Sequence, residues 1–198
     1  MKKFALMFLL AFAPMLLGAP AQAADGPGYH DTTILIVRHA EKPATKAEGP
    51  GLTPAGEVRT KNYAGYFTHF TLDGTPLHID TLVATADTHG SMRPRLTVTP
   101  FSQTSGLPIQ QPFADDDVKP LAEWLGKGAP HRTILIAWHH GRIPALLTAL
   151  GADAQALIGA EKWPPDTYDW VIALRYDADG KLVSSQRIVE PATLAANP

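Results

Sequence analysis

The stretch Thr32-Thr33-Ile34-Leu35-Ile36-Val37-Arg38-His39-Ala40-Glu41 decides the fold. Its first six residues form an unbroken β-branched and apolar run, the pattern of a strand buried on both faces. The run ends abruptly in Arg-His. The same pattern returns at Arg132 to Trp138, followed by His139-His140-Gly141-Arg142-Ile143-Pro144. Two buried strands that each break into charged residues describe a sheet wrapped in helices, with polar chemistry at its rim.

Working outward, the intervening segments alternate in type. Thr53-Pro54 marks a helix start, Thr as N-cap and Pro at N1, and Val58, Tyr63, Tyr66 and Phe67 continue it. Ile79 to Thr85 is a second short apolar strand. Ser91 to about Gln103 is helical, with Pro94 tolerated in the first turn. Leu107-Pro108-Ile109 is a short strand, and Val118 to Leu125 a short amphipathic helix. Ile143 to Leu150 is a helix ended by Gly151. Tyr168 to Tyr176 and Leu182 to Val189 flank the turn Asp177-Ala178-Asp179-Gly180. Strands alternating with helices predict an α/β fold: a three-layer αβα sandwich with a mostly parallel central sheet and an antiparallel edge made by the last two strands.

Composition narrows the function. The chain has 198 residues, 45% hydrophobic and 18% charged, enough for a single-domain core. Lys plus Arg is 17 against 19 Asp plus Glu, so no basic excess marks a nucleic-acid binder. The absence of cysteine excludes a disulfide framework, a thiolate nucleophile and cysteine-ligated metals. Met1-Lys2-Lys3, the apolar run Phe4 to Leu17 and the A-x-A site Ala21-Gln22-Ala23 form the pattern of a secretory signal peptide over residues 1–23. That run, broken only by Pro14, is 14 residues long, fewer than the roughly 18–20 that span a bilayer. Residues 24–198 are then a single exported domain, periplasmic or secreted, without a membrane association. Removing Lys2 and Lys3 leaves 15 bases against 19 acids, a net charge of -4.

In open α/β sheets the ligand site lies beyond the carboxyl ends of the strands. Arg38 and His39, His139 and His140, and Arg93 after the strand at 79–85 all fall there. Arginine forks match phosphate oxygens, and a neutral histidine can attack phosphorus to form a phosphohistidine. A second histidine can donate to the phosphoryl oxygens, and as a cation it would give the reaction a falling alkaline limb. Helix N-termini after the strands would add positive field. Adjacent residues of a regular strand point to opposite sides, so only one of His139 and His140 can face the phosphate.

These residues resemble the histidine phosphatase superfamily, the phosphoglycerate mutase-like fold, over most of residues 24–198. Arg38-His39-Ala40-Glu41 is similar to its R-H-[GA]-E opening, and Gly51-Leu52-Thr53-Pro54-Ala55-Gly56 to its L-T-x-x-G helix start. Arg93 and Thr97 match R-x-x-x-T, and His139 with Ile143-Pro144 matches H-x-x-x-I-P. The resemblance implies a nucleophile at His39, a phosphoryl clamp of Arg38 and Arg93, and His139 as the second histidine. It also implies a carboxylate proton donor after the third strand. Phe113-Ala114-Asp115 fits that place; Asp117 is the alternative, and a solvated Asp115-Asp116-Asp117 loop with no catalytic acid is the third reading. Ala40 in the glycine position is more like the small phosphohistidine phosphatases. Lys42-Pro43-Ala44-Thr45 lacks the asparagine of the mutases, His89-Gly90-Ser91-Met92-Arg93 replaces the usual S-x-x-x-R, and the long insertion of the phytase-like branch is absent.

The expected function is therefore an exported, metal-independent phosphatase acting on a small phosphoester or a phosphohistidine protein through phospho-His39, with no cofactor. The alternative is a non-catalytic module that binds a phosphorylated ligand or a protein partner on the same fold. No H-x-x-x-H or H-E-x-x-H supports a metal. His30, His69, His78, His89 and His131 have no assigned role. Trp124, Trp138, Trp163 and Trp170 are packing residues, and Trp163-Pro164-Pro165-Asp166 is a rigid loop at the site's rim. Arg142 and Lys42 either steer an anion or are simply solvated.

Overall fold

The computed structural model describes residues 28–195, so the expected signal peptide at residues 1–23 lies outside the described residues. The chain runs β1 (Thr33–Arg38), α1 (Pro54–Thr68), β2 (Thr71–Leu72), β3 (Thr75–Pro76), β4 (Thr81–Ala84), α2 (Arg93–Ser105), β5 (Ile109–Gln110) and α3 (Val118–Gly126). It continues through β6 (Thr133–Trp138), α4 (Ile143–Ala149), α5 (Ala154–Ile158), β7 (Trp170–Tyr176) and β8 (Leu182–Val189). Six strands form one sheet in the order β5-β4-β6-β1-β7-β8. The first four are mutually parallel, while β7 runs antiparallel to β1 and β8 antiparallel to β7. The expected α/β sandwich with its antiparallel edge is what the chain adopts.

The period of two along each strand explains the three layers. Ile34 and Ile36 of β1 join Ile134, Ile136, Leu121, Leu125, Leu146 and Leu147 in one core, under α3, α4 and α5. Leu35 and Val37 join Leu135, Ala137, Tyr63, Phe67, Val98 and Phe101 in the other, under α1 and α2. Both faces of the central strands are thus covered, as a continuous apolar run requires.

Boundaries moved where local chemistry was finer than the apolar pattern. The helix expected from Ser91 starts at Arg93, and Gly106 stops it by adopting φ +77 as its C-cap. Thr53 caps α1 as expected, its side chain accepting from the Gly56 N–H at 3.1 Å. Two elements were not expected: the β2–β3 hairpin, turning through Asp73 and Gly74 at φ 52 and 77, and the short α5, capped by the Asp153 side chain. Among the described residues, no helix is long and apolar enough to cross a membrane.

The topology gathers one end of the sheet. The carboxyl ends of β1, β4, β5 and β6 point the same way. Because β7 is reversed, its entry (Thr167 to Asp169) lies there too, as does the exit of β8 at Glu190.

Candidate active site

The register pairs Arg38 with Trp138, which brings His39 and His139 out at the same level. Both Arg38 and His39 are buried. The turn they enter is pinned from α2. The Ala40 N–H donates to Thr97 Oγ1 at 2.8 Å, and that hydroxyl donates to the Arg93 carbonyl at 2.8 Å. Arg93 and Thr97 thus act together: one turn of helix joins Arg93 to the backbone just after His39. The α1 start is pinned as well. Thr53 N–H donates to the Glu41 carbonyl at 3.0 Å, and a Cβ on Gly56 would sit 2.6 Å from that same oxygen. Leu52-Thr53-Pro54-Ala55-Gly56 is therefore a docking sequence for the loop after β1, and this N-cap is occupied by protein instead of being offered to an anion.

His39 is held in one tautomer. Its Nδ1 lies 2.7 Å from the Ala40 carbonyl, so Nδ1 carries the proton and Nε2 keeps its lone pair. Burial pushes its pKa well below the usual histidine value, against the raising effect of the Ala40 carbonyl; His139, Arg38 and Arg93 push it lower still. The ring is neutral at neutral pH, with an Nε2 lone pair able to attack an electrophile.

The His139 ring stands edge-on to His39, centroids 5.1 Å apart, and the His140 ring stands 6.4 Å away in a similar attitude. The expectation was that only one of the pair could face the phosphate; both rings lie near His39, for a physical reason. The strand ends at Trp138, and the Arg142 and Ile143 N–H groups close a turn on the His139 carbonyl, so strand alternation no longer applies. His139 is the nearer ring. Burial, helped by Arg93, lowers its pKa to about 4, so the free protein holds it neutral and an alkaline limb from a cationic His139 is not expected of the free protein. A bound phosphoryl group would raise it again.

Arg38 is fixed from below. Its Nη1 donates to the carbonyls of Pro165 at 2.5 Å, Thr167 at 3.0 Å and Pro164 at 3.4 Å. Its Cζ lies 3.8 Å from the centre of the Tyr168 ring, a cation–π contact. The Trp163-to-Asp166 loop thus brackets the Arg38 guanidinium, and is itself held by Trp163 Nε1 on the Thr167 carbonyl at 2.9 Å. Arg93 Nη1 reaches the Pro50 and Gly90 carbonyls, each at 3.3 Å.

What these brackets leave over defines the site. Among the described residues, the buried side-chain polar atoms with no partner are Arg38 Nε and Nη2, Arg93 Nε, Thr85 Oγ1, His140 Nδ1 and Asp115 Oδ1. All six belong to the carboxyl end of the sheet. A buried donor or acceptor left unpaired costs about 1–3 kcal/mol, and more when charged. Such a cost concentrated at one place is the mark of a ligand site, and the guanidinium N–H groups call for an anion.

The three aspartates separate cleanly. Asp116 forms an ion pair with Arg142, and Asp117 accepts from the Ala114 N–H at 3.1 Å, closing the turn into α3. Asp115 is half-buried, and burial raises its pKa to about 6, with Arg142 opposing. Trp138 Nε1 donates to its backbone carbonyl at 3.2 Å, which ties this loop to the strand that delivers His139. The structure thus brings together Arg38, His39, Arg93 and His139 around one point and leaves Asp115 as the aspartate with an unpartnered buried oxygen and a raised pKa. Tyr168 was missed in the sequence; its signal, an aromatic at the end of a rigid Pro-Pro loop, was visible but ambiguous. Lys42 is exposed at the rim. No group of three or more His, Asp or Glu side chains gathers as metal ligands among the described residues.

No family model matches the chain, and no curated protein sequence does. Solved structures do. The protein histidine phosphatase SixA complexed with tungstate superposes with a TM-score of 0.54 at 16% identity, covering 82% of this chain and 99% of that one. A phosphohistidine phosphatase SixA from Agrobacterium tumefaciens gives 0.51 at 15% identity, over 78% and 96%. A phosphoserine phosphatase variant from Entamoeba histolytica, in complex with phosphoserine, gives 0.51 at 11% identity, also over 78% and 96%. At these identities the likeness establishes a fold shared with these phosphatase structures.

Proposed function

We propose that this protein is a phosphatase that hydrolyses a phosphomonoester or a phosphohistidine through a covalent phosphohistidine at His39 Nε2. The observation that carries the reading is the set of unpartnered guanidinium N–H groups of Arg38 and Arg93 beside a neutral, Nδ1-protonated His39. In the first step the Nε2 lone pair forms a bond to phosphorus while the bond to the leaving group breaks. Arg38, Arg93 and His139 stabilise the phosphoryl oxygens, where charge changes most. The leaving oxygen or nitrogen takes its proton from the Asp115 carboxyl. In the second step water attacks phosphorus, its proton passes to the Asp115 carboxylate, the P–N bond breaks, and inorganic phosphate departs. No metal enters either step.

The direct test is hydrolysis of an aryl phosphate, with an alkaline quench to preserve labelled phosphohistidine. Turnover with label on His39 supports the mechanism; turnover without any labelled intermediate refutes it. Vanadate binding without turnover would instead identify a phospho-ligand binding module. Competition between a phosphorylated histidine protein and a small phosphoester would then rank the two substrate classes.

The leader-like residues 1–23 support export to the periplasm or beyond. N-terminal sequencing of protein recovered from the producing cells tests this, since an intact residue 1–23 segment would overturn it.

A further inference from the structure

Behind the nucleophile lies a buried ionic strut that the proposed mechanism does not use. Arg59, in the middle of α1, is buried, and its guanidinium serves two carboxylates. Nε donates to Glu41 Oε1 and Oε2 at 2.9 and 3.1 Å, and Nη2 donates to Glu41 Oε1 at 2.8 Å. Nη1 donates to Glu190 Oε2 at 2.6 Å, and the Tyr63 hydroxyl donates to Glu190 Oε1 at 2.5 Å. Glu190 is also bonded through its backbone, its N–H donating to the Asp169 carbonyl at 2.7 Å.

The position of these partners matters more than their number. Glu41 lies two residues after His39, on the loop that carries the nucleophile. Asp169 follows Tyr168, the ring under Arg38, and Thr167, whose carbonyl holds the same guanidinium. Arg59 therefore joins the nucleophile's loop to the bracket of the phosphoryl clamp across the back of the site. We propose that Arg59 is a positioning residue, whose forked contacts with Glu41 and Glu190 set His39 and Arg38 in mutual register for in-line attack. The inference rests on the phosphatase reading above.

Chemistry supports a device for precision over one for stability alone. One buried cation facing two carboxylates does not favour ionising both, and burial pushes the Glu190 carboxyl up to about 7, against the opposing effects of Tyr63 and Arg59. Buried ion pairs of this kind are often no more stabilising than apolar packing of the same volume. Their forked geometry, however, fixes direction at both ends. The groups facing Glu190 are Tyr63 and Arg59 from α1 and Asp169 from the entry of β7, and Glu41 is reached through Arg59.

The experiment compares kcat and KM on an aryl phosphate for wild type, Arg59→Lys, Glu190→Gln and the double variant, with melting temperatures measured in parallel. A lysine keeps the charge and loses the fork. Arg59→Lys should lower kcat by about 10–100-fold, the scale of a small misplacement of reacting groups, with KM nearly unchanged. Glu190→Gln, close in shape and able to fold with a neutral side chain, should lower kcat less. The double variant should be no slower than Arg59→Lys, because the strut is already cut. Wild-type kcat in a well-folded Arg59→Lys, or two independent losses that multiply in the double variant, would overturn the proposal while leaving the phosphatase intact. A wild type without turnover would remove the phosphatase reading, and this inference with it.

Discussion

The Nδ1 nitrogen of His39 lies 2.7 Å from the carbonyl oxygen of Ala40, its own neighbour in the chain. The acceptor is backbone, so no side-chain substitution can release the tautomer, and Nε2 stays available. Burial keeps the ring neutral far below the usual histidine range. Two outcomes follow for His39. His39→Ala should lose nearly all turnover of an aryl phosphate while retaining vanadate binding through Arg38 and Arg93. The wild type should show no acid limb in kcat/KM in the usual histidine range from protonation of this residue. Steady-state kinetics on both proteins check the pair; full activity in His39→Ala would end the covalent scheme.

The free protein holds His139 neutral, lowered to about 4, while Asp115 is raised to about 6. An acid works only when protonated, so Asp115 is competent below about pH 6 and is lost as pH rises through that value. For a substrate with a poor leaving group, kcat/KM should therefore fall above about pH 6. His139 has already lost its proton there, so the limb contains Asp115 in the free enzyme and the phosphate ester's own second ionisation near pH 6, and the part that depends on Asp115 is the part a neutral replacement removes. An alkaline limb from His139 should emerge only in kcat, where a bound phosphoryl group raises its pKa. Profiles of kcat and kcat/KM with the same limb near pH 7 would contradict this division.

Arg38 rests on the Tyr168 ring at 3.8 Å. Such a contact is worth about 0.5–2 kcal/mol, or about 2–30-fold in kcat/KM if it is felt in the transition state. Tyr168→Leu should lose that factor. Tyr168→Phe keeps the ring and should lose little. Equal, large losses in both would mean that the hydroxyl acts on substrate directly, and would move Tyr168 from support to chemistry.

Thr97 is a stability residue with a kinetic consequence. Its hydroxyl accepts from the Ala40 N–H and donates to the Arg93 carbonyl. Thr97→Val is nearly isosteric but leaves the Ala40 N–H, in a buried turn, without its acceptor. The expected destabilisation is about 1–3 kcal/mol, read as a shift in the denaturation midpoint. Activity should fall as well, since the same hydroxyl ties Arg93 to the nucleophile's turn. An unchanged midpoint would show that the turn is held elsewhere.

Much of this architecture was legible in the chain, and the failures have physical causes. Thr33 to Arg38 and Thr133 to Trp138 are apolar on both faces, a pattern that only a covered parallel sheet satisfies, and they placed Arg38, His39 and His139 at one rim. The β2–β3 hairpin escaped although Asp73-Gly74 is a strong turn signal, because its flanking strands have two residues each and no alternation to read. The strut of Arg59, Glu41 and Glu190 escaped because it joins residues up to 131 positions apart, and a lone charged residue in a helix reads as solvated. That the His140 ring also lies near His39 escaped because strand alternation was extended past the strand's last residue. Asp115 remained one of three aspartates until burial and partners told them apart.

That separation makes the proton donor testable by leaving group. Asp116 is paired with Arg142 and Asp117 closes the turn at Ala114, so Asp115 alone of the three has an unpartnered buried oxygen. An aryl oxide leaves without much help, whereas an alkoxide needs a proton as the bond to phosphorus breaks. Asp115→Asn preserves shape and removes the acid. The alkyl phosphate should then lose about 100–10,000-fold, the usual range for general acid catalysis, and the aryl phosphate far less. The part of the alkaline limb near pH 6 that depends on Asp115 should vanish on the alkyl substrate in the same variant. Equal losses on both substrates would make Asp115 a structural residue of the loop beneath Trp138 and pass the question to Asp117. Unchanged kinetics on both would mean that water protonates the leaving group.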